Sequence, residues 1–393
     1  MRPVLKPALR RLWRGDAAVQ LGIDPAHGVV LSGVDATAHA VLGLMDGTRD
    51  TDEVVAAATS RGVEEGEVRR LVGLLESAHA LDDAAVAPQG LAAAERERLD
   101  PDLAALSLLT PVPGGGAREL DRRRAQRVLV VGAGRVGSLV AALLGAAGVG
   151  AVALRDELIA SVADAVPGGL SPADDGKPRA VAAVAAAQRA GAASVTGSVR
   201  PPTAVDCHAA DVAVLAVDWW LAPPPLVLDL FAGAGLPYVL AGVRETTGVV
   251  GPLVVPGETA CPRCLDLHRA DRDPQWPVVA AQLTTAARGG SPACDVTLAA
   301  AVAALTAGQV LAHLSAGAEA RCLGATLELR LPDWTLRRRT WRTHPACACT
   351  AAVAAERTAA AERRAAVTAR RPGAGEPAAA PAVAGVASAA GGR

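Results

Sequence analysis

A glycine-rich turn directly after an apolar run is the feature that most constrains the fold of this 393-residue chain. Residues 127–131 read Arg-Val-Leu-Val-Val, which is typical of a buried strand, and Gly132, Gly134 and Gly137 follow with the spacing G-x-G-x-x-G. Glycines let the backbone turn tightly and approach a phosphate, and a following helix offers free N–H groups and the positive end of its dipole. The spacing therefore predicts a strand, a phosphate-binding turn and a helix.

A second apolar run and an acid follow at the distance expected of a nucleotide-binding unit. Residues 151–154 read Ala-Val-Ala-Leu, and Asp156 stands 19 residues after Gly137. In dinucleotide-binding folds a carboxylate about 20 residues beyond the glycines hydrogen-bonds the ribose. We predict an α/β fold with a Rossmann-like nucleotide-binding domain, with Asp156 at the ribose.

The balance of charge and the apolar stretches argue against two classes of partner. The 39 Lys and Arg residues against 40 Asp and Glu give a formal net charge of -1, so no basic field favours nucleic acid or an anionic membrane. Residues 136–154 and 297–318 are uncharged and long enough to cross a bilayer, but they are mostly small residues that drive insertion weakly. We expect neither partner.

Seven cysteines without a secretory pattern at the N-terminus predict a cytoplasmic protein.

Two charged residues further along the chain are candidates for nucleotide binding. Lys6 and Lys177 are the only lysines among 39 cationic residues, and Lys177 stands in the motif Asp-Asp-Gly-Lys-Pro-Arg-Ala at 174–180. A lysine kept in so arginine-rich a chain indicates a point charge such as a phosphate contact; the alternative is an exposed cation at a helix start. Asp218 follows the apolar run 212–217, at the strand end where open α/β sheets place ligand groups, and could hold Mg²⁺.

Four cysteines form two chelating pairs. Cys261 and Cys264 have the spacing C-x-x-C, and Cys347 and Cys349 the tighter spacing C-x-C. Thiolates at such spacings are typical tetrahedral zinc ligands, so we predict a structural Zn²⁺ site. His344 is a possible substitute ligand, and redox or unligated thiols are the alternatives.

Residues 1–85 are predicted to form a small α+β domain. The apolar runs 17–24 and 29–33 predict a hairpin, and the patterns at 36–45, 52–60 and 64–80 predict three helices, the second capped by Thr51 or Asp50. The stretch from Val30 to Val55, with Asp-Gly-Thr-Arg at 46–49, resembles the PqqD-like winged-helix fold, which implies recognition of a leader peptide. The alternative is a generic helical packing domain.

Two further segments separate or follow these domains. Residues 86–125 gather Pro, Gly and charge and are predicted to be a linker with one helix around 91–99. Residues 351–393 are rich in Ala, Pro and Gly and cannot build a core, so we predict a largely disordered tail. The nucleotide- and zinc-binding domain is predicted to cover 126–350.

That domain resembles the ThiF/MoeB/HesA family of ubiquitin-activating-enzyme-like adenylyltransferases. The markers are the glycine turn, Asp156, the motif at 174–180, Asp218, the strand Thr-Gly-Val-Val-Gly-Pro-Leu-Val-Val-Pro-Gly at 247–257 and the paired cysteines. The resemblance implies a ThiF-type fold that binds ATP and Mg²⁺ and adenylates the C-terminal glycine of a small carrier or ubiquitin-like protein.

The resemblance also assigns roles to single residues. The glycine turn, Arg135 and Lys177 would contact the phosphates, and Asp218 the metal. Cys294, on a crossover loop, would be a transfer thiol, although a lone cysteine is usually a small buried side chain. The candidate catalytic residues are therefore Asp218, Lys177 and Cys294, and we expect a homodimer.

One departure from the family pattern leaves the function open. The family segment DxDxVxxSNLxRQ corresponds here to residues 156–170, which contain no Arg and no Asn and have Leu158 at the second acid. Loss of a cation that stabilises phosphate charge costs orders of magnitude in rate. The first function is ATP-dependent activation of a carrier protein; the alternative is a catalytically degenerate partner that binds a leader or precursor peptide for a YcaO-type cyclodehydratase. A nicotinamide oxidoreductase is third.

Overall fold

The computed structural model describes residues 1–15, 17–34, 36–216, 223–285 and 293–349. The N-terminal part contains β1 (Pro3–Leu5), β2 (Arg11–Trp13), β3 (Ala18–Leu21), β4 (Val29–Ser32), α1 (Ala36–Leu44), α2 (Thr51–Thr59), α3 (Glu65–Ser77) and β5 (Leu81–Asp83). The predicted hairpin is confirmed, because β3 and β4 pair antiparallel. The sequence did not predict β2, which joins them in a sheet of order β2-β3-β4.

The three predicted helices of this part are confirmed and pack on one apolar core. Asp50 caps α2: its side chain accepts from the Glu53 backbone N–H, and the Glu53 side chain accepts in return from the Asp50 backbone N–H. The side chains of Val19, Val54 and Val68 are fully buried in this core. The likeness to the PqqD-like fold stays a prediction.

The segment predicted as a linker is mostly helical, so that prediction was wrong. Helices α4 (Ala93–Leu109) and α5 (Gly115–Ala125) pack against each other around Leu99, Leu106 and Leu120. Pro111, Pro113 and Gly114 lie in the turn between them, whereas Pro101 lies within α4. At Gly116 a Cβ would lie 2.7 Å from the Ser107 backbone nitrogen, so this glycine permits the close approach.

Hydrogen bonds tie the N-terminal strands to this helical pair. The Lys6 side chain is 2% exposed, and its Nζ donates to the Thr110 carbonyl at 2.8 Å. The Asp82 carboxylate accepts from the Ser107 hydroxyl and from the Gly114 backbone N–H, both at 2.5 Å. Burial lowers the pKa of Lys6, against the opposing charge of Asp82.

The larger part is a mixed sheet with helices on both faces. Its elements are β6 (Arg127–Val131), α6 (Arg135–Ala146), β7 (Ala151–Arg155), α7 (Arg179–Arg189), β8 (Val195–Ser198), α8 (Ala204–His208), β9 (Val212–Ala216), α9 (Pro225–Gly233), β10 (Tyr238–Arg244), β11 (Thr247–Val254), α10 (Pro262–Ala270), α11 (Trp276–Thr285), α12 (Val296–Leu314), β12 (Ala325–Arg330) and β13 (Thr335–Thr340). The strand order is β13-β12-β11-β10-β9-β6-β7-β8. The strands β10, β9, β6, β7 and β8 pair parallel with their neighbours in that order. The pairs β10–β11, β11–β12 and β12–β13 are antiparallel. The α/β prediction is confirmed.

Helix α12 covers most of the second uncharged stretch. Among the described residues it is the one helix long and apolar enough to cross a membrane. Leu298, Val302 and Val310 on this helix are fully buried in the core between the sheet and α6. Because core helices also satisfy a length and composition test, this packing explains the apolar stretch as part of the fold.

Candidate functional site

The glycine turn has the geometry that its spacing predicts. Gly132 directly follows β6 and has a φ of 99°, a conformation that side chains disfavour; its N–H donates to the Arg155 carbonyl at 2.9 Å. A Cβ at Gly137 would lie 1.9 Å from the Gly132 oxygen. Gly134 caps the N-terminus of α6. Strand, turn and helix are therefore confirmed, and α6 directs its N-terminus to the carboxyl edge of the sheet.

Asp156 lies directly after β7 and braces this turn. Its carboxylate is 7% exposed; Oδ2 accepts from the Ala133 backbone N–H at 2.6 Å and Oδ1 from the Leu158 N–H at 2.7 Å. Both oxygens therefore hold backbone groups of the protein itself. A contact between Asp156 and a ribose stays a prediction.

Arg135 joins two loops at the start of α6. Its Nε donates to the Ala163 carbonyl at 2.7 Å and its Nη1 to the Cys294 carbonyl at 2.6 Å. The chain before α12 is thus fixed to the loop after β7. Cys294 is half-buried against the core, and its role as a transfer thiol and that of Arg135 at phosphates stay predictions.

An ion pair that the sequence analysis missed lies in the loop after β7. Arg179 donates from Nε to Asp164 Oδ2 at 3.0 Å and from Nη2 to Asp164 Oδ1 at 2.5 Å. The Ser161 N–H and hydroxyl also donate to this carboxylate, at 2.8 and 3.2 Å. The side chains of Arg179 and Asp164 are 12% and 9% exposed. The segment 156–170, which lacks the family arginine, is therefore paired with an arginine from the motif that follows it.

The local backbone explains how these two residues meet. Ile159 and Pro178 form an antiparallel bridge, and the Ala160 N–H donates to the Lys177 carbonyl at 2.8 Å. The sequence feature that could have indicated this ion pair is Arg179 itself, which stands two residues after Lys177 at the start of α7.

Lys177 points away from this pair. Its side chain is 54% exposed and its Nζ lies 2.9 Å from Asp174 Oδ1. The hydrogen bond from Lys177, together with those from Ser171, lowers the pKa of Asp174 to about 2. The phosphate role of Lys177 stays a prediction. Asp218, the predicted metal ligand, lies outside the described residues, as does the tail 351–393.

The two cysteine pairs meet at one point beside α10. The Sγ atoms of Cys261 and Cys264 are 3.9 Å apart, those of Cys261 and Cys347 are 3.7 Å apart, and those of Cys264 and Cys349 are 3.5 Å apart. A tetrahedral zinc with Zn–S bonds of about 2.3 Å requires sulfurs about 3.8 Å apart. The four cysteines therefore have the geometry of a metal site.

A cation is needed in this cluster if all four cysteines are ionised. Burial, with the negative charge of the neighbouring sulfurs, raises the pKa of Cys261 to about 12. Four thiolates at this separation repel one another unless a cation lies between them. The alternative ligand His344 is engaged elsewhere: Nε2 pairs with Asp271 at 2.9 Å and Nδ1 accepts from the Ala346 N–H.

The fold is similar to those of solved enzymes and their complexes. E. coli MccB with ATP matches with a TM-score of 0.63 at 17% identity, over 88% of this chain and 99% of that chain. The microcin C7 biosynthetic enzyme MccB in complex with N-formylated MccA matches with a TM-score of 0.61 at 16% identity, over the same shares. PaaA matches with a TM-score of 0.64 at 16% identity, over 86% of this chain and 100% of that chain.

Sequence comparisons identify the family. No curated protein matches the sequence. The model of the ThiF family matches residues 107–351, more than half of the chain and all of the large sheet. This chain therefore belongs to the ThiF family, with an adenylyltransferase-like fold.

Proposed function

We propose that this ThiF-family protein binds a precursor peptide and presents it to a separate ATP-using enzyme of the YcaO cyclodehydratase type, without adenylating the peptide itself. The observation that carries this proposal is the Asp164–Arg179 ion pair at the carboxyl edge of the sheet. This pair engages Arg179, which contacts the altered family segment, as a structural group.

Adenylation needs cations that can bind the phosphate charge that develops in the transition state. Arg179 is held by both oxygens of Asp164, which neutralise its charge. Arg135 donates to two backbone carbonyls, which fix its position but leave its charge in place. Moving Arg179 to a phosphate would leave a buried carboxylate without its counter-charge, which is costly. Among the described residues of this loop, the remaining cation, Lys177, is paired with Asp174.

Peptide binding is supported by the N-terminal sheet. Strand β4 is an edge strand among the described residues, and its Val30 side chain is 46% exposed. An exposed edge can accept an extended peptide as an added strand, through backbone hydrogen bonds and alternate side chains. The MccB structures in complex with MccA make a peptide the class of partner that we favour. This proposal also makes residues 1–85 the leader-binding region.

A second candidate is an ATP- and Mg²⁺-dependent adenylyltransferase. The intact glycine turn and the MccB complex with ATP favour it. In that case Asp156 would contact the ribose, and Asp218 the Mg²⁺. In either case we propose that Cys261, Cys264, Cys347 and Cys349 hold a structural Zn²⁺, which stabilises the domain without taking part in chemistry.

The two candidates are separated by measuring peptide binding and nucleotide turnover on the same purified chain. Synthetic leader peptides of candidate precursors are titrated by fluorescence anisotropy, and pyrophosphate release is followed with ATP·Mg²⁺ and the full precursor. We expect binding without peptide-dependent release. Release that depends on the peptide and is abolished by Asp218→Ala would establish the adenylyltransferase instead.

A matched pair of variants tests the binding surface. Val30→Asp places a charge on the β4 edge, whereas Val199→Asp places one at a site of similar exposure, 52%, in the larger domain. We expect peptide binding to weaken at least tenfold in the first and to stay unchanged in the second. Equal binding by both variants would exclude the β4 edge.

A further inference from the structure

The large sheet has a basic strand at one edge that the proposed function does not use. Strand β13 reads Thr-Leu-Arg-Arg-Arg-Thr, and all six residues are exposed. Residues 325–342, which form the β12–β13 hairpin and its end, contain five arginines and two acids, in a chain whose net charge is -1. This hairpin therefore carries a net positive charge.

Strand β13 is an edge strand of the large sheet. It pairs with β12 on one side, and among the described residues no strand pairs with its other side. Alternate backbone N–H and C=O groups of an edge strand point outward, where another extended segment can pair with them. The outward backbone groups of β13 therefore favour binding of an extended polypeptide over binding of a small ion.

The arginines are held in place without being neutralised. Arg339 lies over the Trp341 ring, 4.0 Å from its centroid, and Arg338 donates to the Arg321 carbonyl at 2.8 Å. In the described part of the chain, none of Arg337, Arg338 and Arg339 forms an ion pair. Their charge is available to a partner.

The strand register sets the pattern that a partner must match. Arg337 and Arg339 are opposite Glu328 and Thr326 of β12, so they share one face of the sheet, two residues apart. A strand added beside β13 would place every second side chain on that face. Acids at alternate positions would therefore lie next to both arginines.

The same charges exclude two other occupants. Antiparallel pairing of β13 with β13 of a second copy would oppose arginine to arginine, which is destabilising. The C-terminal segment 351–393 contains six arginines and three glutamates, so it carries the same sign. Charge complementarity points to a different chain.

We propose that the outer edge of β13 binds an extended acidic segment of a partner protein, which adds as a further strand with its acids on Arg337 and Arg339. This surface is separate from the N-terminal sheet, so the proposal stands independently of the proposed function. The alternative is that the arginines only prevent edge-to-edge aggregation.

A direct test uses the full chain and a fluorescent peptide of alternating glutamate and valine. A second peptide keeps every glutamate but replaces the valines by proline, which has no N–H for strand pairing and the same net charge. An RNA oligonucleotide and anionic vesicles serve as general polyanions. The variants are R337E/R339E and, as a control with the same change in charge, R61E/R70E at exposed positions of the N-terminal domain.

We expect the valine peptide to bind the native chain and R61E/R70E equally, and R337E/R339E at least tenfold more weakly. The proline peptide should bind at least tenfold more weakly than the valine peptide. Equal binding of the proline peptide, or tighter binding of RNA or vesicles, would show a general polyanion surface and overturn the proposal. Undetectable binding of the valine peptide, or equal losses in both double variants, would also overturn it. All four exchanged side chains are exposed, so circular dichroism should show native folding.

Discussion

Replacing Arg179 by methionine removes the guanidinium from Asp164 but keeps a long apolar side chain on α7. The carboxylate then loses the bonds of 3.0 and 2.5 Å and keeps those from Ser161. In the native chain the Asp164 side chain is only 9% exposed. The variant therefore leaves a nearly buried charge without a counter-charge.

The expected loss follows from this geometry. Breaking a buried ion pair by removing one partner costs about 3–5 kcal/mol in the free energy of unfolding. The two bonds from Ser161 and the residual exposure place this pair at the lower end, about 3 kcal/mol. For a domain of 150–250 residues that corresponds to a fall in Tm of about 6–12 °C. Removing both charges in Asp164→Asn/Arg179→Met should recover most of the loss, because no uncompensated buried charge then remains.

Urea and thermal unfolding of four chains measure this coupling: the native chain, each single variant and the double variant. Destabilisation of the double variant that is clearly smaller than the sum of the single variants would support the pair. An Arg179→Met chain that unfolds like the native chain would refute the reasoning. It would also remove the observation that carries the proposed function, since Arg179 would then be free to bind a phosphate.

Three further predictions concern other parts of the molecule. Cys264→Ser should abolish zinc binding, measured as metal content per chain, and lower Tm, whereas Cys294→Ser should keep its metal. Because the pKa of Asp174 is lowered to about 2 from an ordinary 3.8, its stabilising contribution is complete above pH 4 and is lost as pH falls towards 2; the difference in urea midpoint between the native chain and Asp174→Asn should therefore shrink from pH 6 to pH 3, and a constant difference would contradict the assignment. Gly137→Ala, whose Cβ would lie 1.9 Å from a backbone oxygen, should give a chain that is insoluble or destabilised by about 4 kcal/mol or more, whereas Gly308→Ala, with open space around it, should fold normally in solubility and Tm measurements.

Local patterns predicted the parts of the structure that depend on neighbouring residues. The turn at Gly132 and the hairpin of β3 and β4 follow from spacing over a few positions, and the structure contains both. The cysteine pairs also follow from short spacings, although their meeting across more than 80 residues needed the family resemblance.

Tertiary packing decided what the sequence could not predict. Helix α4 has almost no amphipathic pattern, and its burial depends on Leu99 meeting Leu120 of α5 across the turn at 110–114. The Asp164–Arg179 pair depends on the bridge between Ile159 and Pro178. No periodic pattern in the sequence predicts that bridge. The rarity of lysine made Lys177 the candidate in the motif 174–180. The less exposed cation of that motif is Arg179.

The contacts of Lys6 set where the chain can be divided. A fragment that ends at residue 85 loses Thr110, the acceptor of the buried ammonium, and the Ser107 and Gly114 donors of Asp82. It would also expose the apolar surface that α4 covers at Leu108. Peptide-binding measurements on the isolated N-terminal region should therefore use a fragment that continues through α5, to residue 125, so that weak binding by a shorter piece is not mistaken for the absence of a binding surface.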